Sequence, residues 1–184
     1  MKRKSLTSYM TMTTIAALAA VTAGVASAVD TTALDTQVGA TLDKFYAMSD
    51  KNRDLVQNAA AVLVFPDITK GGIGVGGEHG DGALQEGGKT VGYYSISGAS
   101  IGLTLGLSRH SEVIVFKTPE ARDKLLHGGN WSIGGDASVA VAKKGAGGAY
   151  DTETINKPVN AFIFGEKGLM GDASLQGAKI RKIS

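Results

Sequence analysis

The chain has 184 residues, 19 of them basic and 17 acidic, for a net charge of +2, and it contains no cysteine. This balance leaves no basic excess that would argue for nucleic-acid binding through clustered lysine and arginine, and the lack of cysteine excludes disulfide scaffolds and thiolate catalysis. Glycine is unusually frequent at 26 residues, about twice the average share of ~7%. The glycines are dispersed among apolar residues, so we expect a packed domain and not a flexible linker.

The N-terminal residues have the pattern of a secretory signal peptide. Residues 2–4 are basic, an apolar stretch runs from about residue 10 to 25, and Ala26-Ser27-Ala28 fits a cleavage site. A membrane anchor is the weaker interpretation, because the stretch is short and rich in Thr and Ala. We therefore predict cleavage after Ala28 and a single domain, residues 29–184, in the periplasm or secreted. That domain retains 16 basic residues against 17 acidic ones, since the leader holds three basic residues and no acidic one.

Two helices are predicted next. In residues 30–48, apolar side chains recur at three- and four-residue steps, the spacing of one helix face. They are Leu34, Val38, Leu42 and Phe45. The polar face is acidic, with three aspartates against Lys44, so the apolar stripe is expected to pack on the sheet and not on an anionic membrane. Ser49-Asp50 then fits the start of a second helix that runs to about Ala61.

The rest of the domain has the pattern of β-strands. Residues 62–65 form an apolar run that Pro66 is expected to end. Beyond Gly71, apolar and small residues alternate in several runs, which is the period of a strand. One short helix interrupts the strands, with Thr118 as its N-cap and Gly128-Gly129 at its end.

Glycines at alternate strand positions indicate a strongly curled sheet with crowded faces. We therefore predict an α+β fold: a glycine-rich, mostly antiparallel sheet or partial barrel, with two N-terminal helices and one short inserted helix. A short echo, GDASV at 135–139 and GDASL at 171–175, indicates two strands in similar environments. Residues predicted to be structural are Gly102, Gly106, Gly134, Gly135, Asp136, Gly171 and Asp172.

Two glycine-rich motifs resemble nucleotide-binding loops but lack the required context. Residues 72–77 fit G-x-G-x-x-G, yet Pro66 interrupts the preceding strand and no helix start follows. Residues 87–90, Gly-Gly-Lys-Thr, resemble the end of a phosphate-binding loop whose first glycine would fall on Ala83. We therefore predict a glycine-rich strand or hairpin at residues 72–77, and no bound nucleotide.

The sequence offers few combinations of residues that could bind a metal or catalyse a reaction. None of the three histidines has a histidine partner at a metal-ligand spacing, and no serine lies in a nucleophile motif. His79 lies between Glu78 and Asp81, which leaves open only a loose metal contact. Asp136 and Asp172 form either a carboxylate pair or, more simply, two turns in which each binds backbone N–H groups. We expect a non-enzymatic protein without a metal or a cofactor.

Four segments resemble blocks of the SYLF domain. They are NAAAVLVFPDITKGGIGVGGEHGDG (58–82), YYSISGASIGLTLGLSRHSEVIVF (93–116), WSIGGDASVAVAKKGAGG (131–148) and KGLMGDASLQGAKI (167–180). The blocks occur in order and span the expected mature chain. The sequence is therefore identified as a member of this family, in an exported bacterial form.

The resemblance implies a lipid-binding function. Eukaryotic members of the family bind phosphoinositide membranes and some bind actin, whereas bacterial members are mostly exported. Actin is not expected as a partner of an exported protein, so the expected ligand is an anionic phospholipid or another envelope component. The alternative is a periplasmic scaffold or stress-associated envelope protein that has a protein partner and no lipid ligand.

Lipid contact is expected from three residues outside the acidic first helix. Lys143 and Lys144 fit either a solvated strand end or a contact with an anionic headgroup. Trp131, the only tryptophan, is either a core residue or an exposed apolar anchor.

Overall fold

The computed structural model describes residues 30–73, 75–101, 106–127, 131–132, 139–142, 155–165, 168–169 and 177–184. The described helices and strands are α1 (Thr31–Met48), α2 (Asp50–Gln57), β1 (Ala61–Ile73), β2 (Val75–Glu86), β3 (Lys89–Ile101), β4 (Gly106–Phe116), α3 (Pro119–His127), β5 (Trp131–Ser132), β6 (Val139–Val141), β7 (Val159–Gly165), β8 (Gly168–Leu169) and β9 (Lys179–Lys182). None of these helices is both long enough and apolar enough to cross a bilayer. The predicted signal peptide lies outside the described residues.

The described strands form one curled sheet in the order β5-β9-β3-β2-β1-β4-β7-β6, with β8 beside β7. The β6–β7 pair is parallel and the other described pairs are antiparallel. Trp131 of one edge strand packs in the same cluster as Val139 and Val141 of the opposite edge strand. Because both edges meet one cluster, the sheet curls around it as a partial barrel. The predicted α+β fold is confirmed.

The inner face of the sheet holds the first of two cores. Side chains from seven strands and α3 meet there, among them Leu63, Ile96, Ile114, Ile163 and Leu125. Helix α3 caps this core and begins as predicted, because Thr118 Oγ1 accepts a hydrogen bond from the Ala121 N–H. Burial on both faces explains why β1, β4 and β7 read as continuous apolar runs.

The outer face carries the second core, which α1 covers. All four residues of the predicted stripe are buried there, against Val62, Val64, Val113, Val115, Phe162 and Phe164. Asp30 is the N-cap and accepts a hydrogen bond from the Ala33 N–H at 3.1 Å. At the same end of the helix, Asp35 accepts hydrogen bonds from Thr90 and Tyr93 of β3, each at 2.9 Å. The prediction that the stripe packs on the sheet is confirmed.

Glycines in β2 and β3 leave room for large neighbours on the inner face. A Cβ on Gly82 would meet the Phe65 ring and the Val64 carbonyl, and a Cβ on Gly80 would lie 2.9 Å from Ile68 Cγ1. A Cβ on Gly98 would lie 2.6 Å from Glu78 Oε1. Large side chains therefore lie across glycines of the adjacent strand, which permits the tight curl of the sheet.

The expected end of the first strand at Pro66 is wrong. Strand β1 continues to Ile73, and its register with both neighbours shifts at the proline, between Val64 and Thr69 on one side and between Phe65 and Ile68 on the other. The irregularity is a bulge, which accommodates a residue without an N–H. The second helix is also shorter than predicted and ends at Gln57.

The glycine-rich segment is a hairpin, as predicted. Gly72 pairs with Gly76 between β1 and β2, so the G-x-G-x-x-G pattern lies in a strand–turn–strand unit and opens no helix. Gly87 and Gly88 form the β2–β3 turn with positive φ. Of the predicted structural residues, Gly106 begins β4 opposite Gly72. Gly102, Gly134, Gly135, Asp136, Gly171 and Asp172 lie outside the described residues.

Candidate functional site

A cleft of about 640 Å³ opens where the end of α1 meets the sheet. Its size is within the range of small-molecule sites, roughly 300–1,000 Å³. Apolar side chains form one part of its wall: Ala47, Met48, Pro66 and Phe164. Lys44, Arg109 and Asp67 supply charge, and His110 and Ser111 of β4 complete the lining together with Gly165.

Helix α1 ends at this cleft because local groups take over its last hydrogen bonds. The Ser49 N–H donates to the Tyr46 carbonyl, and the buried Asn52 Nδ2 donates to the Phe45 carbonyl at 2.8 Å. Phe45 packs on Phe164 with 5.9 Å between ring centroids. This contact fixes the last turn of α1 over the end of β7, which brings Lys44 to the cleft.

The bulge at Pro66 forms the opposite wall. Ser111 Oγ donates to the Pro66 carbonyl at 2.6 Å, so a backbone acceptor displaced from the strand ladder is satisfied by β4. Asp67 is carried outward by the bulge, and Arg109 Nη1 lies 3.2 Å from its Oδ2. Among the described residues Lys44 has no ion-pair partner. The cleft therefore presents one unpaired cation and one cation shared with a carboxylate.

A buried polar pair lies on β4 beside the cleft. His110 Nε2 and Glu112 Oε1 are 3.3 Å apart, and the Glu112 side chain is fully buried. Glu112 Oε2 has no hydrogen-bond partner among the described residues. Burial raises the pKa of the Glu112 carboxyl above its usual range; His110 opposes this rise, Glu78 adds to it, and Lys70 opposes it.

The described residues of the cleft do not form a nucleophile–base pair. Ser111 Oγ donates to a backbone carbonyl, and its hydrogen bond does not involve the His110 ring. No group of three or more His, Asp or Glu within the described residues could hold a metal ion. At His79, where the sequence left open a loose metal contact, the ring is exposed and its Nε2 lies 3.9 Å from Asp81 Oδ1. The chemistry that this arrangement offers is binding of a negative group beside an apolar wall.

Of the residues that the sequence predicted for lipid contact, Trp131 lies within the described residues, and it does not line this cleft. Trp131 is buried, and its ring lies 5.7 Å from that of Phe116 in the inner core. Its core interpretation agrees with the structure, and the exposed-anchor interpretation does not. Lys143 and Lys144 lie outside the described residues. Sequence analysis missed Lys44 and Arg109 as partners, because 64 intervening residues separate them.

Residues 97–183 match the family model Ysc84, described as Las17-binding protein actin regulator. The match begins in the second half of β3 and covers β4, α3 and all later strands. These residues, which include Arg109 and the His110–Glu112 pair, are therefore similar to the Ysc84 family. The resemblance in residues 58–82 lies before the matched part. No curated protein matches the sequence.

Proposed function

We propose that this chain is a non-enzymatic, exported lipid-binding protein, and that the cleft at the end of α1 receives an anionic lipid headgroup. One observation carries the proposal: Lys44 and Arg109 line the same cleft as Met48 and Phe164. A phospholipid has a charged headgroup joined to an apolar body, so its recognition requires cations next to an apolar wall.

The Ysc84 description names Las17 binding and actin regulation, and these words apply to that family model. Export, which the signal-peptide pattern supports, would separate this chain from actin. Lipid binding is the part of the family resemblance compatible with an envelope location. A scaffold with a protein partner and no lipid is the alternative, and the experiment below distinguishes the two.

The test is co-sedimentation with phosphatidylglycerol vesicles and with phosphatidylcholine vesicles at low and high salt. Each cation near an anionic surface contributes about 1 kcal/mol, so Lys44→Glu should weaken binding to phosphatidylglycerol at low salt by about tenfold or more. Lys89→Glu is the matched control, because it makes the same charge change at the exposed start of β3, next to the β2–β3 turn.

Two outcomes would contradict the proposal. If the wild-type protein sediments with neither vesicle and carries no lipid when purified from its native compartment, the lipid-binding proposal is wrong and the scaffold alternative takes its place for testing. If Lys44→Glu and Lys89→Glu weaken binding equally, net charge determines the association and the cleft does not.

A further inference from the structure

The four longest strands extend past the core into an uncharged end of the sheet. We define this sheet tip as residues 71–73, 75–77, 99–101 and 106–107. It contains only Gly, Ala, Ser, Val, Ile and Leu. Charged residues begin immediately behind it: Lys70 and Glu78 are cross-strand partners, and Arg109 is two residues from Leu107 on β4. An uncharged tip with charges at its base is the polarity pattern of an element placed at a boundary between water and an apolar phase.

Leu107 is the most exposed large apolar side chain among the described residues, with 82% of its surface accessible. Its cross-strand neighbours explain this exposure. Leu107 pairs with Gly71, which pairs with Gly77 on the other side, and Gly77 pairs with Ala99. Because these neighbours carry at most a methyl group, they do not cover the leucine. The next row toward the β1–β2 turn is Gly106, Gly72, Gly76 and Ser100, and the row after it consists of apolar residues: Ile73, Val75 and Ile101.

We propose that the sheet tip inserts into the interfacial layer of a lipid bilayer, with Leu107 as its exposed anchor. The inference rests on the proposed lipid-binding function and identifies the surface that enters the membrane. Three strand residues beyond Lys70 rise by about 10 Å, which matches the ~5–10 Å depth to which interfacial elements bury their apolar faces.

Charged residues of both signs lie at the base of the tip, and the tip residues beyond them are uncharged. Arg109 is 74% exposed, and Lys70 is the second cation at this level of the sheet. Each cation has a carboxylate near it: Arg109 Nη1 lies 3.2 Å from Asp67 Oδ2, and Lys70 is the cross-strand partner of Glu78, whose side chain lies against Gly98 on the inner face. The charged groups therefore belong at headgroup depth and the uncharged residues beyond them in the apolar region, which is the order of layers that a bilayer presents.

The tip is also continuous with the cleft. Arg109 lines the cleft and belongs to the same face of β4 as Leu107, because strand residues two apart point to the same side. With the tip in the glycerol region, Arg109 and the cleft would lie at headgroup depth. One orientation of the domain therefore satisfies both contacts.

The first test compares Leu107→Glu with Val91→Glu on mixed phosphatidylcholine–phosphatidylglycerol vesicles at high salt. Val91 is a matched control, because it is 48% exposed and lies on β3 at the end opposite the tip. Leu107→Glu should weaken binding by roughly tenfold to a hundredfold, the range expected for losing one buried leucine, and Val91→Glu should bind like wild type. Equal binding by Leu107→Glu and wild type would overturn the proposal.

A second measurement reads insertion directly. The chain has no cysteine, so Leu107→Cys and Val91→Cys each provide one site for an environment-sensitive dye. The emission of the dye at position 107 should shift to shorter wavelength on vesicles and be quenched by bromine-labelled lipid chains, whereas the dye at position 91 should remain in water.

Two outcomes distinguish tip insertion from the lipid-binding function. If the protein binds vesicles but the dye at position 107 stays in water, tip insertion alone is overturned. If the protein does not bind vesicles, the lipid-binding function is overturned as well. A concentration-dependent shift without vesicles would show that a second copy covers the tip, which also overturns the proposal.

Discussion

Nε2 of His110 lies 3.3 Å from Oε1 of Glu112, and both side chains are buried on the inner face of β4. Within the part of the chain that the structure describes, the other carboxylate oxygen of Glu112 has no hydrogen-bond partner. Burial penalises the charged form of the carboxyl, so its pKa is raised in the folded protein. This pair makes the stability of the fold depend on pH.

The first prediction concerns the sign of that dependence. Because folding raises the pKa of Glu112, the folded state binds this proton more tightly than the unfolded state. The stabilisation from Glu112 is complete below the unfolded pKa, about 4.3, and is lost as pH rises through the higher folded value. Glu112→Gln cannot ionise, so it should flatten the fall in unfolding free energy over this window and be more stable than wild type at neutral pH.

Urea unfolding at a series of pH values measures this effect. Glu120→Gln is the control, since Glu120 is exposed at the first turn of α3 and should leave the pH profile unchanged. His110, Glu78 and Lys70 are the titratable groups that influence Glu112, and both variants retain them. A Glu112→Gln profile parallel to that of wild type would show that the carboxyl pKa is not shifted.

The second prediction uses two glycines in opposite environments. A Cβ on Gly82 would meet the Phe65 ring, whereas a Cβ on Gly39 in α1 meets nothing within 4 Å. Gly82→Ala should therefore destabilise the protein by about 1–3 kcal/mol. Gly39→Ala should stabilise it by about 0.5–1 kcal/mol, because alanine is the better helix former. Chemical denaturation measures both values. If Gly82→Ala left the free energy of unfolding unchanged, the inner face would have room for the added methyl group, and the curl of the sheet would not require glycine at this position.

Local sequence signals were sufficient to predict the helices and the type of sheet. The spacing of Leu34, Val38, Leu42 and Phe45 defines a face whatever it packs against, and Thr118-Pro119 specifies a helix start by its own chemistry. Pro66 shows where local rules fail. A proline normally ends a strand, but pairing with β2 and β4 on both sides carries β1 through it as a bulge. Ser111 then binds the displaced carbonyl.

The candidate site could not be predicted in the same way. Lys44 is a lone cation on an acidic helix, and Arg109 is a strand residue with no distinctive neighbour in the sequence. Their meeting depends on where α1 ends on the sheet, which the contacts of Phe45 with Phe162 and Phe164 determine. Such a position is a property of tertiary packing, and a single sequence does not reveal it.

The third prediction concerns Asp67. This carboxylate binds Arg109 at 3.2 Å at the edge of the cleft, so it competes with any anionic ligand. Asp67→Asn should strengthen binding to phosphatidylglycerol vesicles at low salt by about fivefold, the equivalent of ~1 kcal/mol. The exposed ion pair contributes little to stability, so the variant should remain folded. Asp54→Asn on α2 makes the same charge change away from the cleft. An equal gain in vesicle affinity in both variants would show that net charge, and not the position of Asp67 at the cleft, causes the effect.

The fourth prediction concerns export. The basic start, the apolar stretch and Ala26-Ser27-Ala28 predict a mature protein that begins at Val29. N-terminal sequencing of the exported form, expressed with its own leader, should give Val29 as the first residue, and the protein should remain in solution without detergent. Recovery of the uncleaved chain in a membrane fraction would show that the N-terminal segment is a membrane anchor and not a cleaved signal peptide.

The last prediction separates the lysine pair at 143–144 from the two surfaces described above. If Lys143 and Lys144 approach the membrane, they act as exposed point charges, each contributing about 1 kcal/mol near an anionic surface and screened by salt. The double variant Lys143→Glu with Lys144→Glu should then weaken binding to phosphatidylglycerol vesicles at low salt but leave binding at high salt unchanged. Leu107→Glu should show the opposite pattern, because burial of an apolar side chain is not screened. Vesicle affinity measured for both variants across a salt series tests this contrast. A lysine variant that loses binding at high salt would indicate that these side chains reach a water-excluded contact, and one that binds like wild type at low salt would place them away from the membrane.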